Sequence, residues 1–130
     1  MSRALRVLLV EDDENLIDLV QLTLDGEGFE LNIARNGKEG IAQSKEFAPD
    51  LILMDVVMPL VNGYESARAI RNDPKTKDIP IFFLTAKSLE EDIHHGKDAG
   101  GNLYLVKPFS PFELIKIIQD YFQNRPLPSL

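Results

Sequence analysis

The sequence holds no cysteine, so neither a disulfide framework nor a thiolate metal site is available, and a cytoplasmic protein is the simpler expectation. No run approaches the roughly 20 apolar residues that a membrane-spanning helix requires. The amino terminus, MSRALRVLLVEDD, meets carboxylates too early for a signal peptide. Basic residues are outnumbered, 14 against 21 acidic, for a net charge of -7, so the electropositive footprint of a nucleic-acid binder is missing and any DNA contact needs another domain. Finer internal repeats and low-complexity segments are also absent. What remains is 130 residues, 44% of them hydrophobic, which suits one globular domain with a single core.

Within that apolar content one stretch is anomalous. Leu51 to Pro59, LILMDVVMP, places Asp55 inside an otherwise unbroken apolar run. Such a run reads as a strand buried on both faces. An ionised carboxylate there costs several kcal/mol unless something pairs with it. Asp55 therefore either lies at the exposed end of its strand or has partners.

The order of elements supplies the partners. Arg6 to Val10 reads as a buried strand ending in Glu11, Asp12, Asp13 and Glu14, and Leu16, Ile17, Val20 and Leu24 then recur at helical spacing before Gly26 and Gly28. Phe29 to Ala34 alternates as a half-buried strand, and Asn36-Gly37 turns into a second helix through Ile41, Ala42 and Phe47. After the Asp55 strand, a third helix spans about Tyr64 to Arg71, and Ile79 to Leu84 forms a fourth strand closing on Thr85. Ser88 to Glu91 has capping-box spacing and predicts a fourth helix, which Gly100-Gly101 ends. Leu103 to Val106 is the fifth strand. Ser110 to Glu113 is a second capping box with proline at the first helical position, and the last helix carries Phe112, Ile115, Ile118 and Phe122 at helical spacing. The expected domain covers residues 1–124, with 125–130 as a tail or the start of a linker.

Five strands alternating with five helices predict an α/β fold with a parallel sheet covered on both faces. Ligands in such sheets bind beyond the carboxyl ends of the strands. Glu11 and Asp12, Asp55, Thr85 and Lys107 all fall at that edge. Lys107 offers Asp55 a cation and Thr85 a hydroxyl. The two further acids add repulsion, roughly 3 kcal/mol for carboxylates about 5 Å apart at an effective dielectric near 20. A divalent cation resolves it, and oxygen donors without histidine or cysteine suit magnesium, with manganese as an alternative. His94 and His95 are adjacent and on a helix diverge, which disfavours a shared metal site.

The acidic pair in LLVEDD, the LILMDVVMP strand and turn, NGYE, FFLTA and YLVKPFSPFEL occur in an order and spacing that resembles the receiver domains of two-component response regulators, the CheY-like family, over nearly the whole chain. The resemblance implies a flavodoxin-like sheet with strand order 2-1-3-4-5. It implies a phosphoprotein that takes a phosphoryl group from a sensor histidine kinase or phosphotransfer protein onto Asp55. It is not a conventional enzyme, since it catalyses only its own phosphorylation and dephosphorylation. By position, Asp12 and Asp55 correspond to magnesium ligands, the Val57 backbone carbonyl to a third, and Glu11 acts largely through water. Lys107 corresponds to the residue that neutralises a phosphoryl oxygen. Thr85 and Tyr104 correspond to the switch pair bordering the fourth helix, fifth strand and fifth helix, the face through which partner binding changes. The Lys107-Pro108 bond is cis in relatives. Homodimerisation on phosphorylation and an unidentified downstream effector complete the expectation.

The chain departs from the family pattern at Val57 and Lys87, positions that influence water access to the acyl phosphate in relatives, which implies slow hydrolysis. Asn62 replaces a frequent aspartate. Asp13 is better read as a helix cap than as a ligand. A haloacid-dehalogenase-type phosphatase would need a second aspartate where Val57 stands, and a flavin mononucleotide binder would need hydroxyls and glycines in place of Glu11, Asp12 and Asp13. A receiver-fold module that is not phosphorylated usually lacks one of the acid, threonine or lysine positions. All of these are filled here.

Overall fold

The computed structural model describes residues 4–58, 61–85 and 100–123. Five strands, β1 (Arg6–Val10), β2 (Glu30–Ala34), β3 (Leu51–Asp55), β4 (Ile81–Thr85) and β5 (Leu103–Val106), form one sheet. Every pairing is parallel, and the order is β2-β1-β3-β4-β5. The fold is thus the flavodoxin-like one that the resemblance implied. The central strands β3 and β4 are buried at every position, as their continuous apolar runs require, whereas the edge strand β2 alternates.

Four helices lie among the described residues: α1 (Glu14–Asp25), α2 (Gly37–Glu46), α3 (Gly63–Arg71) and a C-terminal helix (Pro111–Phe122). The helix expected from the Ser88 capping box lies outside the described residues, as do Pro59, Lys87, His94, His95 and the expected tail. Each described helix starts at a short polar side chain that accepts an otherwise unpaired backbone N–H: Asp13, Asn36, Asn62 and Ser110. Asp13 is a cap, as expected, and so is Asn62, the residue that stands where relatives often have aspartate. The Ser110–Glu113 capping box closes in both directions.

One face of the sheet packs α1 and the C-terminal helix, with Ile17, Val20, Leu24, Leu114 and Ile118 against Leu9, Leu53 and Phe82. The other packs Ala67 and Ile70 of α3 against Ile52, Met54 and Phe83. Two helical faces differ from expectation. In α2 the buried side is Gly37, Gly40 and Ser44, with Ile41 only partly covered and Ala42 exposed. These small residues let α2 approach closely: a Cβ on Gly40 would stand 3.0 Å from both Val10 methyls, and one on Gly37 would collide with the Val61 carbonyl and the Ser66 hydroxyl. In the C-terminal helix the sheet takes the stripe through Leu114, Ile117, Ile118 and Tyr121. Phe112 and Phe122 of the rival stripe are exposed. A helix apolar on two overlapping sides does not declare which one the sheet will cover.

At the amino ends of the strands, opposite the acidic cluster, Arg71 donates to the carbonyls of Lys77, Ile79 and Gly100 and to Asn102 Oδ1. Asn102 Oδ1 also accepts from Ile81 N at 2.9 Å. A half-buried guanidinium and one amide thus satisfy the backbone where β4 and β5 begin.

Candidate metal and phosphoacceptor site

The site is built where three parallel strands stop. β1 delivers Glu11 and Asp12, β3 delivers Asp55, and the chain leaving β5 delivers Lys107. Asp55 is the register partner of Leu84, and Thr85, one residue further along β4, is the partner of Val106. Asp55 and Thr85 are 6% and 2% exposed, and Glu11 is 1% exposed, while Asp12 faces outward. Of the two possibilities the sequence allowed, the second holds: Asp55 is the last residue of its strand but is buried there, and it has partners.

Lys107 is the cationic partner. Its Nζ lies 3.0 Å from Glu11 Oε1 and 3.3 Å from Asp55 Oδ1. Glu11 Oε2 accepts from the Asp13 amide at 3.2 Å. The loop after β3 is held by Gly63 N donating to Val56 O at 2.9 Å, and the absence of a Cβ on Gly63 is what lets α3 begin against the Asp55 carbonyl. Lys107 N donates to Thr85 O, and the Lys107–Pro108 bond that follows is cis. Val57 stands at the rim, 66% exposed.

Electrostatics distinguish the acids. Burial, followed by the negative charge of Asp55, pushes the Glu11 carboxyl up to about 7, although Lys107 and the Asp13 amide work in the other direction. Burial also opposes the Lys107 charge, but the hydrogen bond to Glu11 and the Asp55 carboxylate outweigh it and raise the ammonium pKa. One cation is therefore shared between two buried carboxylates, and negative charge is left over. Carboxylate oxygens of Glu11, Asp12 and Asp55 all come within 4.8 Å of one another. A set of hard oxygen donors with surplus negative charge and one outward-facing member fits a magnesium ion that keeps several waters.

A family model described as the response regulator receiver domain matches residues 7–119. The chain belongs to that family. The receiver domain is 41% identical over 115 residues to the probable transcriptional regulator ycf29 of Pyropia yezoensis, covering 88% of this chain and 52% of that protein. It is 36% identical over 110 residues to the DNA-binding response regulator MtrA of Mycobacterium tuberculosis, covering 85% of this chain and 47% of that one. It thus spans about half the length of these curated relatives. Among solved structures, the chemotaxis response regulator CheY4 of Vibrio cholerae superposes with a TM-score of 0.85 at 35% identity, covering 89% of this chain and 97% of that one. The receiver domain of a sensor histidine kinase from Pseudomonas aeruginosa, solved with a magnesium ion coordinated in its active site cleft, does so with a TM-score of 0.85 at 32% identity, covering 92% and 98%.

The receiver domain brings Glu11, Asp12, Asp55 and Lys107 together as the strand order implied. Tyr104 lies away from the acids, half-buried on the α3 side of the sheet. Its hydroxyl is hydrogen-bonded to that of Tyr64, which the sequence marks only as part of NGYE and the start of a helix. Arg71 enters the sequence pattern only as the end of the third helix, and Asn102 only within Gly101-Asn102-Leu103, a loop less polar than is usual in relatives and without an assigned function. The only sequence signal for Asn102 is a short polar side chain between a glycine pair and a strand, too common to single it out.

Proposed function

We propose that this receiver domain accepts a phosphoryl group on Asp55 in a magnesium-dependent reaction, and that the phosphorylated state changes which partner it binds. The observation that carries the reading is the Asp55 carboxylate, nearly buried at its strand end, 3.3 Å from Lys107 Nζ and within 4.8 Å of the Glu11 and Asp12 oxygens. A carboxylate oxygen of Asp55 attacks the phosphorus of a phosphohistidine on a sensor kinase or phosphotransfer protein. The P–N bond breaks as the P–O bond forms, and the imidazole leaves and takes up a proton.

Lys107 stays protonated and can move its hydrogen bond from Asp55 to a phosphoryl oxygen, offsetting charge that the site already carries in excess. Thr85, buried one residue beyond Asp55's register partner, supplies a hydroxyl for another oxygen. Glu11, Asp12, Asp55 and the Val57 carbonyl would hold magnesium, which when bound neutralises the phosphoryl oxygens and the acid cluster. Water then hydrolyses the acyl phosphate, returning Asp55 and releasing phosphate. The output follows if Thr85 and Tyr104 favour one of two arrangements of the sheet edge that a partner can distinguish.

Relatives about twice as long are named transcriptional and DNA-binding regulators. A longer native chain in which DNA is bound by a further domain is in keeping with them and with the net charge of -7 on this segment. No described helix is long and apolar enough to cross a membrane. Incubation with acetyl phosphate and magnesium should add one phosphoryl group, detected by mass spectrometry, and Asp55→Asn should abolish it. No adduct, or an undiminished adduct in Asp55→Asn, overturns the proposal.

A further inference from the structure

Tyr64 and Tyr104 come from elements that are not consecutive in the chain. Tyr64 is in the first turn of α3, directly after Gly63, and Tyr104 is in β5. Both rings rest on Phe83 of β4, the register partner of Tyr104. The Tyr64 ring meets Phe83 edge-on at 5.1 Å and 69°, and the Tyr104 ring is tilted against it at 6.1 Å and 53°. Above Phe83 the two hydroxyls hydrogen-bond to each other. A phenol hydroxyl brought under cover keeps a partner, and here the two bond to each other.

The bond closes a circuit through the acid site. From Asp55 the chain passes to Val56, whose carbonyl accepts from Gly63 N, and Tyr64 is the next residue. From Tyr104 it runs to the end of β5 at Val106 and on to Lys107, whose Nζ returns to Asp55. The nucleophile's loop and the strand that delivers its cation are thus tied at the site by an ion pair and beyond it by two phenols. We infer that Tyr64 is a positioning residue: through Tyr104 it holds β5 where Lys107 reaches Asp55, and so couples occupancy of the acid site to the placement of the β5 edge. The coupling is reciprocal, because whatever favours Lys107 against a more negative Asp55 also favours the phenol pair.

The inference rests on the phosphoacceptor reading, and the test separates the two. Beryllofluoride with magnesium serves as the probe of a phosphorylated Asp55, and 3-fluorotyrosine labelling makes the three tyrosines visible by fluorine NMR. Tyr121 packs against Phe82 on the opposite face and is the internal reference. The probe should shift the Tyr64 and Tyr104 signals and leave Tyr121 in place. Tyr64→Phe, which keeps the ring, should weaken beryllofluoride binding about fivefold, the equivalent of one net hydrogen bond of about 1 kcal/mol. Tyr104→Phe should weaken it as much, and the double variant no further, since both single changes remove the same bond.

If the wild type binds the probe and both single variants bind it equally well, the inference is overturned, even where their melting temperatures fall. Additive losses in the double variant overturn it as well. A wild type that does not bind the probe overturns the phosphoacceptor reading itself.

Discussion

At the scale of single residues, the site is an arrangement for keeping negative charge in a place that disfavours it. Lys107 neutralises one carboxylate's worth of charge and divides it between Glu11 and Asp55. The pKa of Glu11 rises because its carboxyl is buried and stands beside the Asp55 charge. Val57 has the opposite character. It sits at the rim with an exposed branched apolar side chain that can neither donate to nor accept from a water approaching Asp55. Val57→Asn should therefore shorten the half-life of phospho-Asp55. The expected factor is about tenfold, the rate equivalent of one hydrogen bond gained in the transition state. Loss of labelled phosphate over time measures it, and a half-life that is unchanged or longer would count against a role for Val57 in slowing hydrolysis.

At the scale of elements, the helices show what a sequence declares and what it withholds. The caps were readable at Asp13 and Ser110 because a short acceptor next to a periodic apolar run has one common use. Asp55 was readable as an anomaly because a charge in a buried strand must be compensated. The packing face of α2 was not readable, since its inward positions are glycines and a serine and carry no hydrophobic signal. Nor was the Tyr64–Tyr104 bond, which joins residues 40 apart through a ring on a third element.

The α2 face leads to a contrast between two glycines. Gly37→Ala improves helix propensity yet forces a methyl into the Val61 carbonyl and the Ser66 hydroxyl, so it should destabilise the domain by about 1–3 kcal/mol. Gly26 caps α1 in ordinary helical geometry, φ -65°, and a Cβ there meets nothing closer than 3.6 Å. Gly26→Ala should be neutral or stabilise by up to about 1 kcal/mol. Urea midpoints of the two variants test the pair, and equal effects would mean that backbone closeness does not govern the α2 interface.

At the scale of the whole molecule, the same charge imbalance becomes a dependence of stability on pH. Glu11 binds its proton more tightly in the folded state, pKa about 7, than in the unfolded chain, where the value is near 4.5. A raised acid contributes stability that is fully present below the unfolded value and is lost as pH rises through the folded one. Without magnesium, stability should therefore fall between about pH 4.5 and about pH 7. Glu14 and Asp73 do not mask this. The hydrogen bond from Arg35 lowers the first, and those from the Lys75 amide and Lys45 lower the second, so their contributions are complete before the window opens. On the proposed reading magnesium should reverse the trend, because it would bind the deprotonated acids and release the Glu11 proton. Its stabilising effect should grow across the same interval. Melting temperatures from about pH 5 to about pH 7.5, with and without magnesium, provide the measurement, and Glu11→Gln should flatten the metal-free curve. A metal-free curve that keeps its slope in Glu11→Gln would place the titrating group elsewhere, and the surplus charge around Asp55 would no longer explain why the fold wants a cation.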